Sequence, residues 1–184
     1  MGQTLSEPIT AKESSALQNA NLKVGSSSMQ GWRITMEDAH THILTMAGDK
    51  EAAFFAVYDG HGGSKVATYL SENLRCTILR RPEYKDGGYE DAIVGGYLEC
   101  DKKMRTEESL KDDVSGSTAV SALLKGCDLY VGNVGDSRCI ACIDGVADPL
   151  SVDHKPSDPL EKARIVNAGG FVELNRVNGN LALR

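Results

Sequence analysis

No apolar run in this 184-residue chain approaches the roughly 18–20 residues a membrane-spanning helix needs, so the sequence does not predict a helical span. No unbroken run of basic residues is longer than a pair such as Arg80-Arg81, and 20 Lys+Arg against 26 Asp+Glu give a formal net charge of −6. That balance argues against nucleic acid as the main partner. A secretory signal pattern is missing, and the five cysteines (Cys76, Cys100, Cys127, Cys139, Cys142) are an odd number without secretory spacing. A reducing, cytoplasmic setting fits them, with the nucleus also open. Internal repeats are absent. At 41% hydrophobic and 25% charged residues the composition is that of a globular protein, and the length suits one domain.

The N-terminus carries one address-like pattern. "MGQTLS" fits M-G-x-x-x-[ST], which makes Gly2 a candidate for myristoylation; the alternative is a leader that happens to begin Met-Gly. A single acyl chain gives only weak, reversible membrane binding. Residues 1–21, polar and rich in Ser, Ala and Asn, read as a flexible leader, and 22–184 as the folded part.

Within the folded part, Ala39–Met46 and the strongly apolar Ala52–Asp59 read as an antiparallel strand pair. Val66, Leu70, Leu74 and Ile78 recur at i+4 through Ser64–Leu79, the stripe of an amphipathic helix, and a second helix is expected over about Tyr89–Glu108. "STAVSALL", "DLYVGNV" and "SRCIACI" follow as a meander, with Asp144-Gly145 as a hairpin signal. Asp158, Pro159 and Glu161, then Gly169-Gly170, punctuate a further helix as N-cap, first residue, capping box and stop. Strand pair, helix pair and meander in that order predict layered α+β.

Chemistry-bearing residues sit at the ends of these elements. In "FFAVYDGHGGS" an acid, Asp59, closes a buried strand, where a fixed backbone and a solvent-facing carboxylate suit a hard cation. Gly60 can bring its carbonyl close to such an ion, although a glycine-rich turn with Asp59 as a cap is the plain alternative. "WRITMEDAH" places Arg33, Glu37 and Asp38 before the first strand, and adjacent carboxylates repel unless exposed or sharing cations. "VGNVGDSR" sets Asp136 at a strand junction. His40 and His42 would share a strand face, as a metal pair or as satisfied or exposed histidines; Trp32 reads as core or site wall. Asp153-His154 reads as a structural turn, Ser117-Thr118 as hydroxyls satisfying backbone, and Cys139/Cys142 as small apolar fillers.

In order and spacing, "RITMED", "FFAVYDGHGG", "SGSTAV", "GNVGDSR", "DHKPSDPLEKARI", "NAGGFV" and "RVNGNLAL" resemble the metal-dependent protein serine/threonine phosphatases of type 2C, the PPM family, and its animal alpha/beta-type members in particular. The similarity runs from about Val24 to the last residue. It implies an α-β-β-α sandwich, two antiparallel sheets flanked by helix pairs. It also implies two Mn²⁺ or Mg²⁺ ions bridged by Asp59, with the Gly60 carbonyl on one, Glu37 and Asp38 ligating directly or through water, and Asp136 at a weaker third ion. An activated water would attack phosphoserine or phosphothreonine of a protein substrate. Arg33 would grip the phosphate and His61 protonate the leaving oxygen. A monomer is expected.

The chain ends at "RVNGNLALR", before the further aspartate motifs of the family, so the resemblance implies the N-terminal portion of the catalytic domain, C-terminally incomplete. Three expectations stand side by side: part of an active phosphatase, a truncated and impaired isoform acting as a binding or competing module, or a membrane-tethered scaffold.

Overall fold

The computed structural model describes residues 4–179. In chain order the elements are β1 (Ile9–Gln18), β2 (Lys23–Gly31), β3 (Ala39–Ile43), β4 (Ala52–Tyr58), β5 (Gly60–His61), α1 (Lys65–Arg80), α2 (Pro82–Lys85) and α3 (Tyr89–Met104). There follow β6 (Gly116–Ser117), β7 (Ala119–Lys125), β8 (Asp128–Val134), β9 (Ile140–Ile143), β10 (Val146–Pro149), α4 (Pro159–Asn167), β11 (Val172–Glu173) and β12 (Arg176–Val177). Strands β3-β4-β7-β8 form one antiparallel sheet, while β1-β2, β5-β6, β9-β10 and β11-β12 are two-stranded ribbons.

Strand alternation decides which face of the sheet is covered. Phe54, Ala56 and Tyr58 of β4 and Ala119 and Leu123 of β7 pack in the core with Leu70, Leu74 and Ile78 of α1 and Ala92, Ile93 and Cys100 of α3. The i+4 stripe read from the sequence is therefore the buried face of α1. The two helices meet closely because Gly96 of α3 has no side chain: a Cβ there would stand 2.5 Å from Ile78 Cγ1. Within this layer the Tyr97 hydroxyl donates to Ser121 Oγ at 2.8 Å, and burial raises the Tyr58 hydroxyl pKa to about 12. The other face carries His40, His42, Phe55, Val57 and Val120, which share with Leu22–Ser26 the lining of a groove of about 460 Å³. Val57 is 48% exposed there.

Three expectations change. The stretch expected as a flexible leader contains β1, which pairs in antiparallel register with β2 from Ile9↔Gly31 to Gln18↔Lys23. All ten β1 residues are exposed, so main-chain bonding and hydroxyl contacts such as Ser14 Oγ to Ser27 Oγ at 2.8 Å hold it, with no buried apolar face. The second helix ends at Met104, where Thr106 Oγ1 donates to the Lys103 carbonyl at 3.0 Å instead of continuing the turn. At α4 Asp158 accepts from the Leu160 and Glu161 amides as an N-cap, but the Glu161 carboxylate pairs with Arg164 and does not close the capping box. Gly2 lies outside the described residues.

Candidate active site

The backbone of Asp59 is fixed before its side chain can act. Its N–H donates to Thr118 Oγ1 at 3.0 Å, and its carbonyl accepts from Thr118 N–H at 3.0 Å. Thr118 is fully buried, and its hydroxyl lies 2.6 Å from Ser137 Oγ. This is the backbone-satisfying part read for that hydroxyl. One residue further, Gly60 lets β5 press against the 33–38 segment: a Cβ at Gly60 would stand 2.2 Å from the Glu37 backbone oxygen.

The 33–38 segment has its own strut, which no sequence pattern signals. Gln30 Nε2 donates to the carbonyls of Arg33 and Ile34, both at 2.9 Å. Thr35 Oγ1 donates to Glu37 Oε1 at 2.8 Å, while Glu37 Oε2 is buried with no hydrogen-bond partner among the described residues. Arg33 Nη2 stands 3.9 Å from that oxygen, at the edge of ion-pair range, and the Arg33 side chain is 58% exposed. Arg33, Glu37, Asp38, Asp59 and Gly60 line a single cleft of about 220 Å³.

The cleft lining carries three carboxylates and one guanidinium, and a buried carboxylate oxygen without a donor is costly. Both features fit a hard divalent cation. Among the described residues no three His, Cys, Asp or Glu side chains converge tightly enough to enclose an ion by themselves. The donor set therefore fits a cation that keeps much of its water shell, as Mg²⁺ does.

The structure does not bring every expected residue into that cleft. His61 lines a neighbouring groove of about 520 Å³, bounded by Val66, Leu70, Met104 and the 110–117 segment. Its ring lies over Gly116, where a Cβ would stand 2.5 Å from His61 Nε2. Asp136 follows β8 and lines neither cavity; its neighbour Ser137 connects it to Thr118 and hence to Asp59. His40 and His42 do share a face, with ring centroids 5.1 Å apart, on the far side of the sheet from the core. Trp32, expected as core or site wall, is 55% exposed and does not line the cleft. Cys139 and Cys142 are free thiols, the first partly buried and the second exposed, so only Cys139 behaves as filler.

Asp153 and His154 have the structural part read from the sequence, but in an irregular segment and not in a turn. His154 Nδ1 accepts from Gly135 N–H at 3.3 Å, and Gly135 O accepts from His154 N–H at 2.9 Å. Arg138 grips Asp153 with both Nε (2.9 Å) and Nη2 (2.7 Å), and Lys155 adds a contact at 3.2 Å. Arg138 first, then Lys155, lower the Asp153 pKa from 3.8 to about 2. A depressed acid stabilises the fold above its unfolded pKa and loses that contribution as pH falls through the folded one. The Tm difference between wild type and Asp153→Asn is therefore expected to shrink as pH falls from about 4 to about 2, as followed by circular dichroism. A difference that stays constant across that window would refute the assignment.

The layered α+β fold with its acidic cleft at the end of a central strand defines a class that the comparisons make specific. The family model described as protein phosphatase 2C matches residues 22–183, and the chain belongs to that family. A Caenorhabditis elegans protein named as a probable protein phosphatase 2C is 58% identical over 183 residues, covering 100% of this chain and 51% of its own length. Human protein phosphatase 1A is 44% identical over 193 residues, covering 100% of this chain and 50% of its own. The chain thus spans about half the length of these relatives. A crystal structure of a serine-threonine phosphatase 2C from Toxoplasma gondii superposes with TM-score 0.71 at 23% identity over 95% of this chain and 62% of that one, a likeness of fold.

Proposed function

We propose that this chain carries part of the site of a protein serine/threonine phosphatase that uses two Mn²⁺ or Mg²⁺ ions on phosphoprotein substrates. The observation that carries the reading is the buried, donor-less Glu37 Oε2 in one cleft with Asp38, Asp59 and an exposed Arg33. Glu37, Asp38 and Asp59 would hold the ions, with the Gly60 carbonyl. Bound there, such ions supply Lewis acidity and a water of lowered pKa at neutral pH.

The remaining work falls to the chain's own groups. Arg33 is free to swing from its 3.9 Å contact with Glu37 and grip two phosphate oxygens in a planar fork. His61, in the next groove, serves as general acid to the departing seryl or threonyl oxygen. For that, the substrate backbone must cross from the acidic cleft towards the His61 groove, phosphate first. Asp136 joins a weaker third site in this reading. Nothing in the fold or the comparisons favours a competing module or a tethered scaffold.

The test is hydrolysis of a phosphothreonine peptide by the 184-residue chain with Mn²⁺, with and without EDTA. Turnover above background that EDTA abolishes is expected. A correctly folded chain that releases no phosphate at any Mn²⁺ or Mg²⁺ concentration refutes the reading for this polypeptide.

A further inference from the structure

The turn that carries His61 is braced from outside by a segment for which the proposed chemistry has no use. Helix α1 begins without a side-chain cap from Ser64. The Val66 amide, one of the donors a helix start leaves orphaned, donates instead to Ser115 Oγ at 3.3 Å. Ser115 is held by Asp113, whose Oδ1 accepts from the Ser115 amide at 2.9 Å and from its hydroxyl. The other oxygen, Oδ2, lies 3.1 Å from Lys65 Nζ, and the Asp113 side chain is only 15% exposed.

The same segment packs on the glycine turn. Gly62 and Gly63 have φ of +68° and +130°; a Cβ on Gly62 would stand 3.4 Å from the Val114 carbonyl oxygen, and one on Gly63 3.3 Å from Ser115 Cβ. Gly116 then pairs with His61 across the β5-β6 ribbon, its missing side chain leaving the place where the imidazole lies. Asp113 therefore fixes Ser115, Ser115 fixes the start of α1, and the segment between them is the floor under the turn.

We propose that Asp113 is a positioning residue for His61, holding segment 113–117 against the start of α1 so that the imidazole keeps one place over Gly116. The catalytic meaning of that placement rests on the phosphatase reading above; the placement itself does not. Asp113 lines the groove that holds His61 but does not line the acidic cleft. It acts through Ser115 and through its contact with Lys65 at the start of α1.

The experiment compares wild type, Asp113→Ala, Asp113→Asn and Ser115→Ala in the 184-residue chain by NMR, reading the His61 ring cross-peak and exchange of the Val66 amide. Asp113→Ala is expected to speed Val66 exchange about fivefold, the size of a lost helix cap, and to shift and broaden the His61 peak. Asp113→Asn keeps an acceptor for Ser115 and should restore most of both signals. With Mn²⁺ and a phosphopeptide, kcat of Asp113→Ala should fall about tenfold with KM within about twofold, as for a misplaced general acid. A His61 peak that stays put while Val66 exchange accelerates reduces the brace to a helix cap and overturns the proposal. Should Asp113→Ala not fold, Ser115→Ala removes the same link while keeping the Asp113–Lys65 pair, and an unmoved His61 there overturns it equally. If His61 shifts as expected but wild type shows no turnover, the positioning stands and the phosphatase reading falls.

Discussion

Gly60→Ala is expected to lower the Tm by roughly 3–10 °C and to weaken divalent-cation binding together with it. The added Cβ would stand 2.2 Å from the Glu37 backbone oxygen and 3.1 Å from its carbon, and 3.2 Å from Ala67 Cβ. Backbone cannot swing aside as a long side chain can. Either β5 or the 33–38 segment must move, and each movement parts Asp59 from Glu37. Forcing an extra carbon into a packed site costs about 1–3 kcal/mol, which a chain of this size reads as several degrees. Gly25→Ala is the matched control, because no atom lies within 4 Å of the Cβ it would add and its φ is ordinary. Calorimetry with Mn²⁺ and thermal melts of both variants check this. A Gly60→Ala chain as stable as Gly25→Ala would mean that the two segments do not approach so closely.

Much of the scaffold around that contact is legible in the sequence. The apolar run through Tyr58 announces a central strand, and it pairs on both sides, with β3 and with β7. The period-four stripe of α1 names the residues that reach the core. What escapes is bonding without pattern. Strand β1 is exposed on both faces and lies in a ladder of main-chain bonds, with Glu13 and Ser15 interrupting the face that carries Ile9, Ala11 and Leu17, so hydrophobic periodicity signals it only weakly. Gln30 is an unremarkable polar residue in the sequence, yet its amide holds the loop that presents Arg33.

The site divides in the same way. That an acid closes the central strand can be read from Asp59 alone, but its meeting with Glu37 and Asp38 joins residues more than twenty positions apart. Only the resemblance to a family suggests it. Grouping His61 with Asp59 is natural for residues two apart. Asp59, however, falls between β4 and β5, so strand alternation does not carry across it, and the imidazole lines the next groove over Gly116. Asp113 escapes because its partners are Ser115 and Lys65, the latter at the far end of α1 with α2 and α3 between them.

Asp59→Asn is the sharper test of what the cleft is for, since the amide keeps the size of the side chain and both backbone bonds to Thr118 while removing one negative charge. Divalent binding by oxygen ligands depends strongly on how many carry charge, so Mn²⁺ affinity is expected to fall about 100-fold or more. Stability in EDTA should change little beside the metal-dependent difference, because the amide keeps the side chain's volume and both backbone bonds to Thr118. With Mn²⁺ at 100 times its Kd, wild type gains about 2.7 kcal/mol by mass action while the variant gains almost none. The signature is a dependence on metal: melting curves that nearly coincide in EDTA and separate by several degrees in Mn²⁺. Damage to the fold would separate them in both. Equal stabilisation of the two chains by Mn²⁺ would show that Asp59 is not where the ion is held, and the strand that delivers it would need another purpose.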